Sequence, residues 1–153
     1  MKTLKMAFVV GALLFPSTSI RAQVPNLQWA RRIGSTSFDR PEGLAVDASG
    51  NTFTVGFFTT IADFDPGAGI LNLTSSGGRD IFITKFDPDG NLVWVRQMGG
   101  TGDDQGFAVA TDNLGNIYMT GYFQGTVDFN PGAGTVNLTA LGTADMFFVK
   151  LDG

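Results

Sequence analysis

Apolar and polar positions alternate in short runs along most of this chain, and each run is closed by Gly, Asn, Asp or Pro. A period of two, interrupted at turn residues, predicts antiparallel strands rather than helices. Two hairpins stand out. Residues 43–47 (GLAVD) turn through Ala48, Ser49 and Gly50 into residues 52–57 (TFTVGF), and residues 80–86 (DIFITKF) turn through residues 87–90 (DPDG) into residues 92–97 (LVWVRQ). In each turn an Asp opens the loop and a Gly follows three positions later, where a left-handed backbone costs glycine little.

The first residues break this pattern. Lys2 and Lys5 precede an unbroken apolar run at residues 6–15 (MAFVVGALLF), which Pro16 ends. The run is too short to span a bilayer core of about 30 Å, and with its basic start and polar exit it reads as a signal peptide over residues 1–22, with Ala22 the last residue removed. The mature chain is expected to begin near Gln23, with a short lead-in over residues 23–26. No Cys follows the apolar run, so a lipid-anchored cysteine is not expected, and no second long apolar stretch holds the chain in a membrane. The expected setting is outside the cell or on its surface.

Beyond that point the chain repeats itself. Trp29 aligns with Trp94, Asp47 with Asp112, Gly56 with Gly121, Asp80 with Asp145 and Lys85 with Lys150, always 65 positions apart and without a gap. About 26 of 62 aligned positions are identical, the mark of a repeat architecture. Two units follow, residues 27–91 and an incomplete second unit, residues 92–153. Between the second and third strands of each unit lies an insertion, residues 59–79 in the first, read as a loop. It holds the best-matched stretch: DFDPGAG at residues 63–69 and NLT at 72–74, repeated as DFNPGAG at 128–134 and NLT at 137–139. A loop so alike in both copies either forms a demanding turn or carries function.

Four antiparallel strands per unit, stacked in series, make an all-β fold of propeller blades, each a four-stranded meander. Residues 27–33 match only the fourth strand of an earlier blade, and the second unit lacks its own fourth strand, so the chain holds one complete blade and one split blade. Either it is part of a longer propeller, or residues 27–33 complete the C-terminal blade in the chain itself or a neighbour, and two-blade chains close a ring as a homo-oligomer. Two blades alone leave apolar faces and strand edges open.

The segments DIFITKFDPDGNLVWVRQMGG and VATDNLGNIYMTGYF, with the paired DFDPGAG and DFNPGAG, resemble the SBBP-type β-propeller repeats of exported proteins from Bacteroidetes-like bacteria. The resemblance covers residues 27–153. It implies a propeller fold and an extracellular or cell-surface setting, and carries no catalytic residues with it.

Composition narrows the chemistry. The chain has no Cys, so no disulfide stabilises it, and no His, which removes the usual general base at neutral pH together with the common zinc and copper ligand sets. Without Lys2, Lys5 and Arg21, seven basic residues face fourteen acids, a net charge of −7 that argues against nucleic acid and anionic membranes as partners. Lys85 and Lys150 sit at equivalent strand positions, which favours a structural role. No catalytic residue is assigned.

Binding chemistry has more to work with. Asp63, Asp65, Asp87, Asp89 and Asp128 are hard oxygen donors on loops and are the candidate Ca²⁺ ligands, although no cofactor is required by any motif. The run at residues 87–91 has its Gly too early for a calcium loop and no following Glu; residues 99–104 (GGTGDD) resemble a calcium nonapeptide whose apolar position is Gly106. Turn formation explains the same acids. Asp63, Asp65, Asp128, Asn130, Trp29 and Trp94 are the candidate ligand contacts, the Trp rings as stacking faces for sugars. In a chain with 14 Phe, Trp29, Trp94, Phe57, Phe58, Tyr122 and Phe123 also suit core packing. The leading expectation is a non-enzymatic exported module that binds a protein or glycan through the loops at 63–69 and 128–134. A lectin-like two-blade subunit and a Ca²⁺-assisted glycan lyase or hydrolase are the alternatives.

Overall fold

The computed structural model describes residues 24–153. The expected signal peptide, residues 1–22, lies outside the described residues. Among them there are nine strands and no helix. β1 (Arg40–Val46), β2 (Thr52–Asp63), β3 (Asn72–Phe86) and β4 (Leu92–Met98) form one antiparallel meander in that order. β5 (Gln105–Thr111), β6 (Ile117–Phe123) and β9 (Asp145–Leu151) form a three-stranded sheet, and β7 (Thr126–Asp128) pairs with β8 (Asn137–Thr139) as a separate ribbon. Among the described residues the first unit is thus a complete four-stranded blade, and the second is represented by three strands and the ribbon. Among the described residues the sheets do not close into a ring.

Three hairpin turns share one chemistry. Asp47, Asp87 and Asp112 each accept through Oδ1 from the backbone N–H groups two and four residues on, and through Oδ2 from the side-chain amide of Asn51, Asn91 and Asn116. Gly50, Gly90 and Gly115 follow with φ of 82°, 77° and 84°. An Asx turn closed by a left-handed Gly explains the D-x-x-G-N spacing.

Strand alternation gives each blade two faces. On the first blade one face carries Phe53, Val55, Ile81, Ile83 and Met98, and the other Phe58, Phe82, Phe86 and Val95. The first of these faces packs on Ile117, Met119, Phe123 and Phe147 of the second blade, in one core that also takes Val127 and Phe129 from the β7–β8 ribbon. Most of these side chains are fully buried, and each contributes about 1.5–3 kcal/mol of apolar transfer free energy. The opposite face of the first blade forms a second cluster, with Phe58, Ala62, Phe64, Phe82 and Val95 against Ile33 and Leu73.

Two sequence expectations need correction. Residues 59–79 are not a loop throughout: β2 runs on to Asp63 and β3 begins at Asn72, leaving only residues 64–71 outside the strands. The β2–β3 ladder slips between Thr59 and Ile61, and Thr60 has φ of 61°. The arm therefore bends, and lays Ala62 and Phe64 on the sheet. In the second unit the equivalent of Thr60 is Gly125, with φ of 65°, and there the arm separates into β7 and β8. Residues 27–33 also form no strand. The ladder neighbour such a strand needs belongs to a preceding blade, which the described residues do not contain.

Candidate functional site

Each of the matched loops is built around one carboxylate. Asp63 Oδ1 accepts from the N–H of Asp65 at 3.0 Å and of Leu71 at 2.9 Å, and Asp128 Oδ1 accepts from Asn130 at 2.9 Å and Val136 at 2.8 Å. Asp65 and Asn130 then accept from Gly67 and Gly132. The same bonds recur 65 positions apart, so Asn130 replaces Asp65 without loss because both supply an Oδ1 acceptor. Backbone donors, Leu71 and Val136 foremost, hold the Asp63 and Asp128 carboxyls below the usual carboxylate range.

Between the carboxylate pair sits a core residue. Phe64 meets Phe58 edge-on at 5.3 Å and Phe82 at 5.3 Å, while Phe129 meets Phe123 at 5.2 Å and Phe147 at 4.9 Å. The motif is therefore half turn and half anchor, and the Pro-Gly-Ala-Gly tips remain mostly exposed.

The bent arm carries the first loop to the outer strand. Asp65, Pro66, Gly67 and Leu71 line a cavity of about 620 Å³ with Arg31, Asn91 and Trp94. This brings two candidate contacts, Asp65 and Trp94, to one place. Asp63 and Asp65 also border a second, polar recess beside residues 32–39. Trp29 lies elsewhere, its indole N–H donating to Pro88 O at 3.0 Å, and Asp128 and Asn130 sit at the other blade on the β7–β8 ribbon.

Of the remaining candidates, Asp87 is occupied by its turn and Asp89 lies beside it in the same turn. Among the described residues, no group of three or more Asp or Glu side chains comes together in a way that could hold a metal ion. Phe57, Phe58 and Phe123 are core, and Tyr122 packs on Phe107 at 5.6 Å. Lys85 lies over the Phe53 ring at 5.3 Å and Lys150 over Tyr118 at 5.4 Å, matched cation–π contacts.

Sequence reasoning missed the role of the buried acids. Asp104 is fully buried, accepting from Gly100 at 2.8 Å and Gln124 at 2.9 Å, and burial pushes its carboxyl above the usual range. Its equivalent Asp39 accepts from Ser35 and Thr59 in the same way. Asp80, fully buried, accepts from Ser76 N–H at 3.0 Å and Gln97 Nε2 at 2.7 Å. These acids pin loops between strands, and their exact repetition at Asp39/Asp104 and Asp80/Asp145 was the available signal.

A complete antiparallel meander stacked face to face on a second one defines a pair of propeller blades. Residues 93–122 match the model of the SBBP beta-propeller repeat. The match runs from β4 into β6, so it crosses from the outer strand of one blade to the inner strands of the next. The chain is also similar to the WD repeat-containing protein L264 of Acanthamoeba polyphaga mimivirus, with 28% identity over 109 residues, 62% of this chain and 8% of that protein. It shares 28% identity over 113 residues with the regulatory protein FlaEY of Caulobacter vibrioides, 71% of this chain and 12% of that protein. The chain spans only a small part of the length of either relative. Fold and relatives together describe a repeat scaffold.

Proposed function

We propose that the chain is an exported, non-enzymatic binding module, and that it contacts a protein or glycan outside the cell through its repeated loops. The observation that carries this reading is the cavity beside the first loop, lined by Asp65, Asn91, Arg31 and Trp94, whose ring packs on Phe53 at its back. A recess bordered by a carboxylate, an amide and a guanidinium suits a ligand with hydroxyls on its edge, or a polar peptide turn. The carboxylates of Asp63, Asp65, Asp87 and Asp128 serve as turn acceptors, which favours binding over catalysis. The similarity to repeat and regulatory proteins supports the same assignment.

The test is binding of the full chain, exported from a bacterial host, to immobilised bacterial surface polysaccharides and to outer-membrane protein extracts. Trp94→Ala and Asn91→Ala are expected to weaken capture about tenfold or more, and Trp29→Ala to leave it unchanged. Equal capture by all three variants would remove the site from that cavity.

A further inference from the structure

Two buried carboxylates, one from each blade, meet the same stretch of backbone. Asp80 lies in β3 of the first blade and Asp104 directly precedes β5 of the second, and neither is exposed. Gly99 stands so close to the Asp80 carboxyl that any side chain there would collide with it, and the next residue, Gly100, donates its N–H to Asp104 Oδ2 at 2.8 Å. The Thr126 carbonyl, from the inserted ribbon, also lies against Gly100. The run at residues 99–104 (GGTGDD) thus gathers two carboxylates and a carbonyl about one Gly-Gly unit.

Hydrogen bonds answer only part of this charge. Asp80 Oδ2 accepts from Ser76 and Gln97, and the Asp104 oxygens accept from Gly100 and Gln124. Asp80 Oδ1 is buried and accepts from no donor among the described residues. Nor does any Lys or Arg among them pair with either acid; the ion pair they contain joins Arg40 to Glu42. A buried carboxylate needs a counter-charge or a proton, and a buried water bonded to Oδ1 would supply neither. Burial, and behind it the charges of Asp80 and Asp103, hold the Asp104 carboxyl above the usual range. Ca²⁺ supplies the missing charge and takes hard oxygen ligands, carboxylate and backbone carbonyl together, in a flexible geometry. Carbonyls make up its ligand number, so a group of three acids is not required.

We infer that Asp80 and Asp104 hold a Ca²⁺ ion in the seam between the blades, with Asp80 Oδ1 as one ligand and backbone carbonyls beside Gly100 completing the set. The ligands come from both blades, so the binding free energy of the ion adds to the stability of the folded pair. This inference goes beyond the loop-binding reading and stands without it.

Thermal unfolding of the full, exported chain, first stripped with a chelator and then titrated with Ca²⁺ at constant ionic strength, tests the site. A saturable rise is expected, with a dissociation constant of roughly 10⁻⁴–10⁻³ M and a midpoint raised by about 5 °C at about ten times that concentration. Asp80→Asn keeps an acceptor for Ser76 and Gln97 but removes the charge, so it should fold, as circular dichroism would show, and lose the response to Ca²⁺. Asp104→Asn makes the same test from the second blade. Asp63→Asn and Asp128→Asn, which keep their turn acceptors, should leave the response intact. The inference would be overturned by the lack of any Ca²⁺-dependent rise, or by an equal rise with Mg²⁺, the mark of general screening in an acidic chain. A response that survives both Asp80→Asn and Asp104→Asn, or one that disappears in the two turn variants, would overturn it as well.

Discussion

Two equivalent positions behave in opposite ways in the two blades. Ile83 is fully buried between the sheets, whereas Phe148, one repeat later on the same strand and the same face, is 79% exposed. Both strands alternate alike and both pair with the second strand of their own sheet, although β3 alone is also flanked by an outer strand, β4. The difference is that, among the described residues, another blade packs on the face of Ile83 and none on that of Phe148. An apolar side chain in this fold is core or surface according to its neighbour along the stack, which is the general property of repeat proteins whose units cannot bury their faces alone.

The sharpest way to break that comparison is to place the same charge at both sites. Ile83→Asp is expected to cost about 5 kcal/mol or to abolish folding, because an unpaired carboxylate enters a closed apolar core. Phe148→Asp is expected to change monomer stability by about 0.5 kcal/mol at most. Urea unfolding of both variants checks the pair, and a large loss at Phe148 in the monomer would mean that its face is already covered. Phe147→Ala comes next. Phe147 is 1% exposed and touches Phe129 from the inserted ribbon, so the truncation is expected to cost about 3–5 kcal/mol through lost transfer and a residual cavity. Phe82→Ala, its equivalent beneath the looser roof of residues 29–34, should cost less in the same unfolding series, since its cluster is smaller and borders an open cavity.

The repeat, the strand order and the hairpin turns were legible because they are local chemistry: an Asp that accepts two backbone donors, an Asn that clamps it and a Gly that takes the left-handed position. Less legible was the inserted arm. Its DFDPGAG stretch looks like a loop, yet Phe64 is buried, because the arm bends back over the blade instead of standing away from it. The bend depends on Thr60 at φ 61°, and a β-branched residue gives no sign of a left-handed backbone. The aligned Gly125 was the sign. The pairs Asp63/Asp65 and Asp103/Asp104 suggested cation ligands by composition, but composition does not show that Asp104 and Asp80 are buried acceptors for loop N–H groups. What joins Asp65 to Trp94 depends on that same unreadable bend.

Thr60 and Gly125 sharpen the comparison at smaller scale. A left-handed L-residue costs roughly 1–2 kcal/mol, which Gly escapes. Thr60→Gly is therefore expected to raise stability by about 1 kcal/mol at most, offset in part by the greater freedom of Gly in the unfolded chain. Gly125→Thr is expected to lower it by about 1–2 kcal/mol, and thermal unfolding of the two variants should move in opposite directions. A shift of the same sign in both would mean that the two arms do not bend by the same device.

The smallest expected effect is on the response to acid, and it too separates shared from unshared features. Hydrogen bonds from the side chains of Asn51, Asn91 and Asn116 lower the Asp47, Asp87 and Asp112 carboxyls, and backbone donors lower Asp63 and Asp128. A carboxyl depressed by folding stabilises the native state fully above its unfolded value of about 3.9, and that contribution disappears as the pH falls through the folded value. Asp104 acts with the opposite sign. Burial raises its carboxyl, so its charge opposes folding at neutral pH and the cost is relieved as the pH falls through its folded value. Stability measured by urea unfolding should therefore rise slightly as the pH falls from 7 towards the carboxylate range, then drop below about pH 4 as the turn carboxylates protonate. Asp87→Asn should soften the final drop without touching the initial rise, because Asp87 and Asp104 lie on different blades and titrate through different partners. If instead the rise and the drop both change, the two blades unfold as one coupled electrostatic unit and the repeats are less independent than their hydrogen bonds suggest.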